Sequence, residues 1–170
     1  MSVERESGTA WFARTLKRRS VSSAARDILG DVPDVTTDTG CPIGPLIEIQ
    51  GEPGSGKTLF LTHFVATCVL PAEFKGTKTG GLECGVLFVD ADCHFSLETF
   101  ASVLVGKVEK WFTGIARKPF TANELEMLVV GCMKRLCVRR DISSPEDANR
   151  FASKLKEWIF CHPHIDVIVW

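Results

Sequence analysis

The sequence predicts an α/β fold in which a mainly parallel sheet is flanked by helices. Three observations carry this expectation. Short apolar runs at 46–50, 86–90, 136–140 and 165–170 alternate with longer stretches of helical apolar spacing. The intervals between the runs are long enough for the crossover helices that parallel neighbours require. A glycine-rich segment, Gly51–Thr58, also sits between the first apolar run and the first apolar helix.

Residues 8–19 read as a short helix, with Trp11, Phe12 and Leu16 on one side and Lys17, Arg18 and Arg19 at its end, where cations suit the helix dipole. From Ser20 to Pro45 the chain is rich in Ser, Thr, Asp, Gly and Pro and reads as a tether. The expected organisation is therefore an N-terminal helix and linker over 1–45, followed by the core over 46–170. Leu46–Gln50 is the first strand and Thr58–Leu70 the first core helix. Pro71 stops that helix, and Lys75–Gly81 reads as a mobile surface loop. Val86–Asp90 is the second strand. Ser96 heads a helix to about Trp111 whose Phe100, Val103, Leu104 and Val108 should face the sheet. A helix over Glu124–Arg135, a strand over Leu136–Arg140, a helix over Ser144–Phe160 opened by Pro145, and a strand over Ile165–Trp170 complete the pattern.

Composition narrows the function classes. A 45% apolar, 24% charged chain is ordinary for a globular protein, and 20 Lys plus Arg against 21 Asp plus Glu give no bulk attraction to nucleic acid. A local basic track stays open. Seven cysteines without a CxxC pair suit reduced thiols, and hence a cytosolic or nuclear home. No apolar run approaches the roughly 20 residues of a membrane span, so the sequence reads as soluble with no membrane partner.

Gly51, Glu52, Pro53, Gly54, Ser55, Gly56, Lys57 and Thr58 satisfy GxxxxGK[ST], and the strand before and helix after are the context that gives the motif meaning. The chemistry needs these residue types. Glycines allow backbone conformations closed to residues with a Cβ, so that successive N–H groups converge on phosphate oxygens. Lys57 should reach the β- and γ-phosphates, the Thr58 hydroxyl should ligate Mg²⁺, and the helix adds its positive N-terminus. This is the Walker A loop of P-loop NTPases. ATP with Mg²⁺ is the expected ligand, although a phosphate cradle reads neither the base nor whether hydrolysis follows.

Val86–Asp90 runs into Ala91-Asp92-Cys93-His94-Phe95, which places two carboxylates at the C-terminal end of a strand, where ligands collect in open α/β sheets. The order resembles the RecA-type core, in which this strand ends in Asp-x-Glu and the Glu polarises the attacking water. Asp92 occupies that position and is the candidate catalytic residue. One methylene shorter, its carboxylate would stop short of a water placed for Glu, an error that can cost about a hundredfold in rate. Glu6-Ser7-Gly8-Thr9, Gly54–Thr58, Cys68-Val69-Leu70-Pro71, Gly80-Gly81-Leu82-Glu83, Val86–Phe95 and Phe160-Cys161-His162-Pro163 extend the likeness. Together they resemble the RecA-family recombinase paralogs of the X-ray repair cross-complementing protein 2 group. The resemblance implies a RecA-like ATP-binding core working in the nucleus in double-strand break repair by homologous recombination. It also implies assembly with recombinase paralog D and related paralogs, and single-stranded DNA contacted through that complex.

The sequence departs from the pattern at its end. Ile165–Trp170 resembles the Walker B strand, whose Mg²⁺-holding Asp would come next, and Asp166 within the strand is a poor substitute. The expectation is a C-terminally incomplete core, either a truncated product or gene model, or a shortened form whose edge a partner covers. Leu46–Gln50 would then lack a neighbour and expose unpaired backbone groups. Three functions remain: an ATP-binding assembly subunit, a DNA-dependent ATPase using Asp92, and a small-molecule P-loop kinase, for which no Arg-rich lid is visible. Cys161, His162 and His164 read as loop residues rather than metal ligands, Cys93-His94 as structural, and Lys134, Arg135, Arg139 and Arg140 as a solvated edge.

Overall fold

The computed structural model describes residues 34–36, 42–45, 48–113, 121–142 and 144–170. They fall into two compact units, divided after Gly51. In the first unit, β1 (Asp34–Thr36) pairs antiparallel with β2 (Pro42–Pro45), with a register shift between Val35 and Thr36. The stretch read as a tether thus contains a small ribbon. The helix expected over 8–19 lies outside the described residues.

The second unit holds the sheet. Its elements run α1 (Lys57–Val69), β3 (Glu73–Phe74), β4 (Thr77–Lys78), β5 (Gly85–Val89), α2 (Leu97–Thr113), α3 (Ala122–Met133), β6 (Leu136–Arg139), α4 (Pro145–Cys161) and β7 (Ile165–Val169). Strand β5 is central in the order β6-β5-β7, and both pairings are parallel. All five β5 residues are buried, which explains why Gly-Val-Leu-Phe-Val shows no polar alternation: both faces are covered. On one face Leu87 and Val89 meet Ile142, Ile165 and α4 through Phe151, Leu155 and Trp158. On the other, Phe88 packs on Phe95 with ring centroids 4.4 Å apart, and Phe95 packs on Phe100 of α2 at 5.6 Å. Phe100, Leu104 and Val108 form the buried stripe of α2.

Helix ends follow local chemistry. Leu70 leaves α1 in an extended conformation, as the residue before Pro71 must. Ser96 accepts from the Thr99 N–H at 3.1 Å, and Ser144 accepts from the Asp147 N–H ahead of Pro145. Helix α3 begins earlier than its apolar spacing suggests because Thr121 and Glu124 form a reciprocal capping box. Replacing Thr121 with Ala is expected to cost about 1 kcal/mol, measured as a lower denaturant midpoint at unchanged slope.

Two expectations are corrected. Glu48–Gln50 carry no strand, and Leu46 and Ile47 lie outside the described residues. Among the described residues nothing offers these three a ladder partner, and an isolated extended segment is not stable alone. The stretch read as a mobile loop, Lys75–Gly81, is instead folded: β3 and β4 make a tight hairpin about Lys75 and Gly76, both at positive φ. Buried Thr79 then donates its hydroxyl to Pro71 O and accepts from the Gly81 N–H at 3.0 Å. Gly81 and Gly85 permit close backbone approach, since a Cβ would strike the Leu70 carbonyl at one and the His164 carbonyl at the other.

Candidate functional site

The glycine loop from Glu52 onward lies in the second unit and Gly51 closes the first. Gly54 and Gly56 have φ of +80° and +87°, in the left-handed region that a Cβ disfavours. A Cβ at either would meet open space, so the demand for glycine is conformational rather than one of crowding. The Ser55 N–H closes a turn on the Glu52 carbonyl at 3.1 Å, and Gly56 caps α1. No side chain caps this helix and no acidic residue stands in its first turn, so its positive end faces outward. Lys57 folds back over the loop, donating to the Glu52 carbonyl at 2.9 Å. Thr58 is exposed one residue further on.

A phosphate chain suits this arrangement: exposed loop N–H groups, a helix start without a competing carboxylate, and an ammonium held over the turn. Thr58 is the residue that would carry Mg²⁺. Among the described residues no group of three or more His, Cys, Asp or Glu forms a cation cage.

At the end of β5 the two carboxylates part company. Asp90 is buried and accepts from the His94 N–H at 3.0 Å and the Phe95 N–H at 3.1 Å; it also takes the Arg140 guanidinium at 2.9 Å. Arg140 donates onward to the Phe95 carbonyl. Asp90 therefore ties the turn after β5 to the end of β6. Asp92 is exposed on that turn, beside Cys93 at φ +55°, and among the described residues nothing hydrogen-bonds its carboxylate. It plays no part in the network that Asp90 anchors.

The basic residues of the strand edge are largely engaged. Arg135 pairs with Glu83 at 2.8 Å and donates to Val69 O, while Arg139 pairs with Asp141 and lies 4.8 Å from the Phe151 ring centre. Pairing with Asp141 holds the Arg139 pKa above its ordinary value and that of Asp141 below its own. The carboxylate partners were the signal that composition alone hid. Asp166 accepts from the Gly85 N–H at 3.1 Å, a structural role within the sheet. His162, the C-cap of α4, stacks on Trp158 at 4.0 Å and packs edge-on to His164, while Cys161, read as a loop residue, is the last residue of the helix. Burial pushes the Cys132 thiol up to about 11, the behaviour of an inert core cysteine.

No protein-family model matches the chain. The mouse DNA repair protein XRCC2 is 36% identical over 100 residues, covering 58% of this chain and 32% of that protein. Mouse DNA repair protein RAD51 homolog 2 is 27% identical over 132 residues, 75% of this chain and 36% of its own. The XRCC2 homolog of Arabidopsis thaliana is 38% identical over 61 residues, 36% of this chain and 16% of its own. Over these stretches the chain is similar to DNA repair proteins of two kinds, XRCC2 and RAD51 homolog 2. It spans about a third of the length of the two mouse paralogs. Among the described residues no helix is long and apolar enough to cross a membrane.

Proposed function

We propose that the chain is an ATP-binding recombinase paralog that acts as an assembly subunit in DNA double-strand break repair by homologous recombination. The observation that carries the ligand is the start of α1, which has no side-chain cap, at two left-handed glycines with Lys57 lying across the turn. Thr58 would hold Mg²⁺. The repair role is supported by the names of the relatives, both groups being DNA repair proteins. Recombinase paralog D and related paralogs are the partners this reading implies, with single-stranded DNA reached through the complex and the nucleus as the working compartment.

Assembly rather than turnover is favoured because Asp92 carries a short side chain where the resemblance calls for Glu. The enzymatic alternative rests on one observation: Asp92 is exposed and unengaged among the described residues, so a ligand has access to it. Phosphate release, with and without single-stranded DNA and a partner paralog, separates the two. Asp92→Ala is expected to leave both nucleotide affinity and the low release rate unchanged. Turnover that vanishes in Asp92→Ala would overturn the assembly reading.

A further inference from the structure

We infer that a small cavity behind the far end of α1 is a second oxyanion site, shaped for a phosphate group. The cavity is about 140 Å³ and is lined by Thr67, Leu70, Thr79, Gly80 and Lys107. Its volume exceeds the ~30 Å³ share of one water molecule and leaves room for a tetrahedral ion. Thr67 and Leu70 stand at the C-terminal end of α1, whose other end carries the glycine loop. A helix of 13 residues separates the two places by roughly 20 Å, so they are distinct.

The lining holds a lysine and a glycine amide and no acid. Lys107 is half-buried, and its ammonium donates to the Thr67 hydroxyl at 2.9 Å. A neutral hydroxyl is weak compensation for a desolvated charge. Among the described residues no ion pair joins Lys107 to a carboxylate. Its pKa is held below the ordinary lysine value by burial first and then by the neighbouring Lys110, partly offset by the Cys68 thiol. His63 is lowered for the same reasons, burial and then the charges of Lys107 and Lys110. Positive charge therefore gathers here, and among the described residues no carboxylate pairs with Lys107. The loop side adds Gly80, at φ +70°, whose N–H has no acceptor among the described residues. Thr79 beside it is fixed by its bonds to Pro71 O and the Gly81 N–H. An anion bearing several acceptor oxygens would satisfy the ammonium and the amide together.

The test is a titration of the full ¹⁵N-labelled chain with inorganic phosphate, followed by amide resonances in a Lys57→Ala background. That background weakens the glycine loop as a competing phosphate site, and the amides read out lie at the other end of α1, so the outcome does not depend on nucleotide binding. The amides of Thr79, Gly80 and Gly81 are expected to shift and saturate. Lys107→Met should weaken the response at least about tenfold, and Lys107→Arg should preserve it. Phosphoserine and dimethyl phosphate, titrated in parallel, separate a monoester source from a diester; Lys107-dependent binding of either supports the site. Unmoved amides at 79–81, or shifts that persist in Lys107→Met, overturn it. Should Lys107→Met fail to fold, localisation in the parent decides: shifts confined to other surface lysines overturn the proposal.

Discussion

Replacing Lys57 with alanine is expected to weaken Mg²⁺-ATP binding on the order of a hundredfold while leaving the chain folded. Hydrogen bonds to charged groups contribute about 1.5–3 kcal/mol, and each 1.4 kcal/mol is about a factor of ten in affinity. The Lys57 ammonium lies over the loop, bonded to the Glu52 carbonyl. A ligand phosphate would take that carbonyl's place, so the residue's charge matters most in the complex. The backbone of the loop is held independently, by the Ser55-to-Glu52 turn and the two left-handed glycines. Titration with a fluorescent ATP analogue, alongside circular dichroism, measures both halves of the expectation. Affinity equal to that of the parent would mean the loop does not hold phosphates.

Asp90→Ala is expected to lower stability by about 3 kcal/mol. Removing one partner of a buried ion pair leaves the other charge uncompensated, typically about 3–5 kcal/mol. Here the loss is moderated because Arg140 keeps 44% of its side chain in solvent. The N–H groups of His94 and Phe95 would also lose their acceptor, and for buried Phe95 an unsatisfied donor costs about 1–3 kcal/mol. For a domain of this size the shift in melting temperature is about 10 °C, at roughly 2–4 °C per kcal/mol. Asp92→Ala, two residues away and exposed, is the matched control with no expected change in melting temperature. Equal effects for the two substitutions would contradict the division of roles between the carboxylates.

The core was readable because its signals are local and redundant. Gly-Val-Leu-Phe-Val, the 100/104/108 stripe of α2 and Ser144-Pro145 each specify their element within a few residues, and each element formed within a residue or two of its expected bounds. Thr121-Ala-Asn-Glu124 was an equally local signal, overlooked because apolar spacing begins only after it. What the sequence did not yield depends on partners distant in the chain. Leu46–Gln50 is apolar enough for a central strand, but a strand exists only through its neighbours, and Glu48–Gln50 have none among the described residues. Lys75–Gly81 has loop composition, yet Thr79 finds Pro71 and Gly81 meets Leu70, contacts that no period reveals. At the site, the motif identified the loop, while the separation of Asp90 from Asp92 required Arg140, fifty positions on.

Strand β5 occupies the middle of its sheet yet draws both neighbours from later in the chain, Leu136–Arg139 and Ile165–Val169. During synthesis its five apolar residues leave the ribosome long before either flank exists. The loop closures that bring them together are costly until the last strand arrives. Until Leu136–Arg139 and Ile165–Val169 have been made, the ladder partners of β5 are missing and its apolar run is open to misassociation. The topology thus orders assembly: the central strand waits for flanks that are made after it.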